Sequence, residues 1–279
     1  MNKINKYIKH IQINWLFFLV LSSFFSLNAA FGQVLFVSDI DDTLKNTHVL
    51  DRSDALFNSF HTDNNFKGLA ELYQKLKTNH NEVIFAYVSN APESIYQEYH
   101  EQFIKDNHFP QGQVLLRQSL FEKNHKVKAI TDLIKKIKPR FLIFVGDNGE
   151  QDISIYASIA KTYPQVNSLT FIHTVYDSKS TERETKGMAL MSNQIPFVSS
   201  LDLATVFQKY NLISMHDLYL LSKQMTPLLI NELNLNRGSL FIPRWVLCPD
   251  FYRYFNQHQM SIQPFLYPTY QHIMNRCKP

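Results

Sequence analysis

Glycine and cysteine are scarce in this 279-residue sequence, at seven and two, and several common ligand-binding patterns are missing. The glycines form neither GxGxxG nor GxxxxGK[ST], which excludes a dinucleotide-binding fingerprint and a P-loop. The eleven histidines include no HExxH, and no GxSxG occurs, so zincin-type and serine-hydrolase chemistry are excluded. No internal repeat suggests a solenoid. A marked excess of charge of one sign is also lacking. The formal net charge is +4, but Lys3, Lys6 and Lys9 fall in residues 1–32 without an acid. Residues 33–279 therefore hold 25 basic and 24 acidic groups, and this near-neutral body has no electrostatic footprint for nucleic acid. The two cysteines, Cys248 and Cys277, either pair in an oxidising compartment or stay free, and their count does not choose.

What is present begins with an address. The three lysines precede an apolar run, Trp15 to Leu21, then serines, and small residues at Ala30 and Gly32. This pattern predicts a signal peptide over 1–32, with Gln33 as the mature end and the body exported to a periplasm or the exterior. An uncleaved N-terminal anchor is the alternative, because the uncharged stretch approaches the length of a membrane span. Downstream, hydrophobic residues make up 45% of the chain, enough for a large core.

Short β-rich apolar runs alternate with helical periodicity. Strands are expected at 34–37, 83–88, 114–116, 141–145 and 169–172, and helices at 68–77, 93–106, 127–137 and 153–161. Strands separated by helices imply an α/β fold, a parallel sheet with helices on both faces. Ligands in such sheets sit beyond the carboxyl ends of the strands. After residue 212 the pattern changes to a helix near 215–233, interrupted by Pro227, then an aromatic, proline-punctuated tail. The expected organisation is a catalytic domain at 33–212 and a mostly helical C-terminal extension at 213–279.

The strand ends carry the chemistry. Asp39-Ile40-Asp41-Asp42-Thr43 follows the first strand. Closely spaced carboxylates there suit a divalent cation, and an aspartate can attack phosphorus to form an aspartyl-phosphate. Ser89-Asn90 ends the second strand, Lys126 heads the third helix, and Gly146-Asp147 with Asp152 follows the fourth strand. These four motifs, in this order and context, resemble the haloacid-dehalogenase superfamily of phosphotransferases. Val37-Ser38-Asp39-Ile40-Asp41-Asp42-Thr43-Leu44-Lys45, Ser89-Asn90-Ala91-Pro92, Leu115-Leu116-Arg117, His125-Lys126 and Gly146 to Asp152 further resemble the catalytic domain of actin-patch-type phosphatidate phosphatases, over roughly residues 34–175.

The resemblance implies a Rossmann-like fold with a small cap insert at 45–82. It implies Asp39 as nucleophile, Asp41 as general acid/base, and Mg²⁺ held by Asp39, Asp147 and the carbonyl of Asp41, with Asp152 ordering the metal site. Ser89 and Lys126 would hold phosphoryl oxygens, with Asn90 beside them, and Thr43 would brace the first loop. Arg52 and Lys67, on the insert, either reach an anionic substrate or are ordinary solvated charges. Two departures bear on substrate. The family reads Ser-Asn-Ser-Pro-Trp where this chain has Ser89-Asn90-Ala91-Pro92-Glu93, and Ile-Arg-Asp-Val where it has Ile172-His173-Thr174-Val175. Glu93 near the mouth would oppose anionic head groups.

The expected activity is an exported Mg²⁺-dependent phosphomonoesterase, with phosphatidate at a membrane surface as first substrate. Soluble phosphomonoesters, such as nucleotides or sugar phosphates, are the enzymatic alternative. A non-catalytic protein binding a membrane or partner through its aromatic tail is the other. No nucleic-acid or protein partner is expected.

Overall fold

The computed structural model describes residues 33–279, except 52, 54, 56, 57, 59, 120, 233–239 and 259–261. The expected signal peptide at 1–32 and the side chain of Arg52 lie outside the described residues.

Six strands form one parallel sheet in the order β3-β2-β1-β4-β5-β6. They are β1 (Val34–Ser38), β2 (Val83–Pro92), β3 (Gly112–Arg117), β4 (Phe141–Asp147), β5 (Asn167–His173) and β6 (Gln194–Phe197). The connecting helices are α1 (Leu69–Asn79), α2 (Glu93–Asp106), α3 (His125–Ile137) and α4 (Asp152–Thr162). Then follow α5 (Ser200–Lys209), α6 (Met215–Ile230), α7 (Pro249–His258) and α8 (Tyr267–Cys277).

Side-chain alternation along the strands divides the core in two. On one face Phe36, Phe85, Ile143 and Phe171 pack with α1, α2, α5 and α6. On the other, Leu35, Val37, Leu142 and Phe144 meet α3 and α4. The central strand β1 is buried along its whole length, which explains its uninterrupted apolar run. Among residues 45–82, α1 is an ordinary crossover helix, buried through Leu69, Leu72, Tyr73 and Leu76. Of that stretch, Thr47, Val49, Leu50 and Ala55 line a cleft shared with Asp41 and Ser89.

Two elements escaped the sequence patterns. β6 contains Pro196, and it is tolerated because β6 is an edge strand. α5 is buried from Ser200 to Phe207, so it has no polar face to generate a stripe. Its remaining signal is the capping box of Ser199 and Asp202. α6 ends at Ile230 rather than 233, and Pro227 lies within its last turn, where it forgoes the bond to the Lys223 carbonyl and the helix stops within a turn.

The segment after residue 212 joins the first core cluster through Leu218, Leu221, Met225, Val246, Phe251 and Ile273. A disulfide joins Cys248 to Cys277, resolving the alternative that the sequence leaves open. Among the described residues, no helix is long and apolar enough to cross a membrane.

Candidate active site

β1 and β4 are neighbours, but the chain leaves them towards opposite faces of the sheet, and this divergence opens a crevice at their carboxyl ends. Asp39 stands at that point, its N–H donating to the carbonyl of Val145 at 2.8 Å. Lys126, in the first turn of α3 and fully buried, donates from Nζ to Asp39 Oδ1 at 2.7 Å and to Asp152 Oδ1 at 2.6 Å. Asp147 closes β4, and its Oδ1 accepts the N–H groups of Gly149 and Glu150 at 2.5 and 3.3 Å. Gly146 is required here: a Cβ on it would run into the Asp152 side chain and the Tyr156 ring.

Asp39, Asp147 and Asp152 each bring a carboxylate oxygen to within 4.8 Å of the others, all buried. Burial first, then the neighbouring acids, pushes Asp39 and Asp147 well above the usual carboxylate range, with Lys126 opposing. Burial works against the Lys126 ammonium, but Asp152 and Asp39 outweigh it and hold the lysine charged. One cation among three clustered acids leaves negative charge uncompensated. Asp39 Oδ2 and Asp152 Oδ2 are buried without a hydrogen-bond partner. Hard oxygen donors with open lone pairs and surplus negative charge fit a divalent cation such as Mg²⁺.

Asp41 faces the other way, towards solvent. Its Oδ1 accepts the Thr47 hydroxyl at 3.0 Å and its Oδ2 the Ser89 hydroxyl at 3.0 Å. His100 Nε2 lies 3.4 Å from the same Oδ2, and the histidine is fully buried. Burial alone would raise this carboxyl, but His100, Lys45 and the Thr47 hydroxyl outweigh it and hold Asp41 below its ordinary range. Lys45 is itself buried, its Nζ 5.5 Å from the Phe103 ring centroid, and burial pushes it down to about 8 against the pull of Asp41. Asp41, Ser89, Asn90, His100 and Arg117 line a cleft of about 740 Å³, bordered also by Gly149 and Glu150 of the loop after β4.

Asn90 donates from Nδ2 to Glu150 Oε2 at 3.1 Å on the cleft wall. Thr43 is buried beneath the loop, and its hydroxyl has no hydrogen-bond partner. The loop is braced instead by Asp42, whose carboxylate accepts the N–H groups of Thr47, His48 and Val49 and the Tyr176 hydroxyl. Lys67 is exposed, and its backbone N–H donates to the carbonyl of Leu240. Glu93 lines a different groove, with Gln97 and Gln113, so it does not guard the cleft as its sequence position suggests. His173 is buried against Phe66 and Phe197, with Nδ1 2.9 Å from the Asp42 carbonyl, and burial pushes it down to about 4. His100, Thr47 and Tyr176 were not singled out by sequence reasoning. His100 and Tyr176 are lone residues whose distance along the chain hides their approach to Asp41 and Asp42, and Thr47, though only six residues from Asp41, belongs to no motif. Lys45 alone had a signal, since it closes the motif after β1.

A parallel sheet with two aspartates beyond its central strand, a serine beyond the next, a helix-head lysine on the first aspartate and an acidic loop beyond β4 defines a haloacid-dehalogenase-type phosphotransferase. The family model for the catalytic domain of phosphatidate phosphatase APP1 matches residues 34–174, and the chain belongs to that family. It is 32% identical over 156 residues to phosphatidate phosphatase APP1 of Saccharomyces cerevisiae, covering 52% of this chain and 26% of that protein. It is also 30% identical over 142 residues to an uncharacterised protein of Schizosaccharomyces pombe, covering 46% of this chain and 23% of the other. The chain thus spans about a quarter of the length of these curated relatives. Among solved structures, UDP-GlcNAc 2-epimerase from Neisseria meningitidis aligns over 70% of this chain and 54% of that one. Its TM-score of 0.35 and 11% identity carry no argument.

Proposed function

We propose that this protein is an exported, Mg²⁺-dependent phosphomonoesterase that hydrolyses phosphatidate through an aspartyl-phosphate. The observation that carries the reading is the division of labour between two aspartates two residues apart. Asp39 is buried against Lys126 and two further acids, whereas Asp41 lines an open cleft. A site that merely bound a phosphate would gain nothing from a second carboxylate facing it.

A free carboxylate oxygen of Asp39 attacks phosphorus in line, forming the Asp39 O–P bond as the bond to the leaving alkoxide breaks. Asp41 hands a proton to that alkoxide, then takes one from the water that cleaves the aspartyl-phosphate, which restores both aspartates. The incoming anionic phosphate opposes the pull of His100 and Lys45 on Asp41, favouring its protonated form. Lys126 offsets repulsion between Asp39 and the phosphate, and Ser89 exchanges its bond to Asp41 for a phosphoryl oxygen. Mg²⁺ held by Asp39, Asp147 and the Asp41 carbonyl would neutralise charge on the phosphoryl oxygens.

Phosphatidate is supported by membership of the phosphatidate phosphatase family, and export by the basic-then-apolar N-terminus and the disulfide. Purified residues 33–279 with Mg²⁺, assayed on dispersed phosphatidate and on a panel of soluble phosphomonoesters, test the substrate. The expected result is a higher kcat/KM on phosphatidate than on glycerol 3-phosphate, because acyl chains add binding energy usable in the transition state. Activity confined to soluble esters would assign the site to those instead.

A further inference from the structure

The matched family ends at residue 174, yet the loop that holds Asp41 leans on a residue far beyond it. The Trp245 ring stacks on His48, with centroids 4.3 Å apart and planes 12° from parallel. Its Nε1–H donates to Asn46 Oδ1 at 2.8 Å, and its other neighbour is Tyr176, at 5.4 Å between centroids. His48 has a φ of 61°, a left-handed conformation that a non-glycine residue keeps only when its surroundings hold it. One residue earlier is Thr47, whose hydroxyl donates to Asp41. Tyr176 in turn donates to Asp42, which gathers the N–H groups of 47–49.

Trp245 is itself held firmly. Arg276, near the end of α8, donates to the carbonyls of Pro243, Arg244 and Val246 at 3.2, 2.8 and 2.9 Å. The disulfide fastens the next residue of α8, Cys277, to Cys248, and the Leu247 N–H donates to the Val175 carbonyl at 2.9 Å. The 243–248 turn is thus tied both to α8 and to the strand-end loop after β5.

We infer that the C-terminal segment is a working part of the active site: Trp245 is a positioning residue that fixes the 46–49 loop so that Thr47 orients Asp41. The inference rests on the proposed role of Asp41 in protonating the leaving group. Without the indole, the loop relaxes and the Asp41 carboxyl loses its fixed aim at the leaving oxygen, whereas Asp39, directly after β1, and Lys126, on α3, keep theirs. The defect therefore belongs to proton delivery rather than to phosphate binding.

The experiment compares wild type, Trp245→Ala, Trp245→Phe and Thr47→Val on glycerol 3-phosphate, a poor leaving group, and on 4-nitrophenyl phosphate, a good one. Amide hydrogen exchange is followed in parallel for segments 46–49 and 152–162. Trp245→Ala should lower kcat at least about tenfold on the alkyl ester and only about threefold or less on the aryl ester, with KM little changed. Exchange should accelerate in 46–49 and not in 152–162. Trp245→Phe, which keeps a stacking ring, should recover most of the alkyl-ester rate, and Thr47→Val should reproduce the leaving-group bias. Equal losses on both esters, unchanged exchange in 46–49, or exchange accelerated in both segments would overturn the inference. Should Trp245→Ala fail to fold, Thr47→Val decides, and wild-type rates on both esters would overturn it. Wild type active only on dispersed phosphatidate would make that lipid the alkyl ester of the comparison, with exchange in 46–49 deciding; wild type inert on all three would refute the phosphatase reading, and exchange in 46–49 would then decide the buttress alone.

Discussion

Lys126 is the only described cation that bridges the buried acids Asp39 and Asp152, and its loss exposes what it offsets. Lys126→Met should cost about 3–5 kcal/mol of folding stability at neutral pH, because it leaves clustered buried carboxylates unpaired. Urea titration with and without millimolar Mg²⁺ checks this, and added cation should restore part of the loss by binding the folded form. The two aspartates beyond β1 should separate by leaving group. Asp39→Asn should abolish turnover of every ester. Asp41→Asn should nearly abolish alkyl-ester turnover yet accumulate phosphoenzyme from an aryl phosphate, since the first step needs little protonation and the second lacks its base. Quenched-flow trapping of labelled phosphoenzyme reads both outcomes.

Among the elements, α6 offers the clearest test of local chemistry. Ser214 and Asp217 form its capping box, and Asp217 also accepts from Lys75 Nζ at 3.0 Å and Asn79 Nδ2 at 2.9 Å, which ties α6 to α1. Burial opposes ionisation, but the bonds from Asn79, Ser214 and Lys75 together outweigh it and hold the carboxyl below its ordinary range. A depressed acid stabilises the fold above its unfolded value, and that contribution fades as pH falls below about 4. Asp217→Ala should therefore cost about 1 kcal/mol at pH 7 and progressively less towards pH 3, as paired denaturation curves would show. The same elements mark how far the sequence could be read. The strands β1, β2 and β4, and α2 with its full extent 93–106, were legible because each has an apolar pattern of one period. β6 and α5 were not, since a proline and burial on all sides erase the period. Asp39, Lys126, Asp147 and Asp152 were legible through motif order, and the structure brings them together. The supports of Asp41 were not: His100 and Tyr176 reach Asp41 and Asp42 only through tertiary packing, and Trp245 belongs to a segment with no motif.

For the molecule as a whole, the disulfide is a small staple between cysteines 29 positions apart. Replacing both cysteines by serine should cost about 3–4 kcal/mol, mostly by freeing the unfolded chain, and chemical denaturation under non-reducing conditions measures it. Protein recovered from the source cell should begin near Gln33 and lie outside the cytoplasm, which N-terminal sequencing of fractionated cells checks. The sheet order has a consequence for how the protein comes to be active. β1 pairs with β2 on one side and with β4 on the other, so Val34 meets Phe141 only after the whole intervening chain has been brought round. Closing so long a loop is a slow, entropically opposed event, and it is the event that places Asp39 beside Asp147. During synthesis, a ribosome-bound chain ending before β4 holds the DxD motif, Ser89 and Lys126 but lacks Asp147 and Asp152. The buried acidic cluster therefore assembles when the fourth strand and the helix after it dock, and the loop that holds Asp41 gains its buttress only once the segment bearing Trp245 follows.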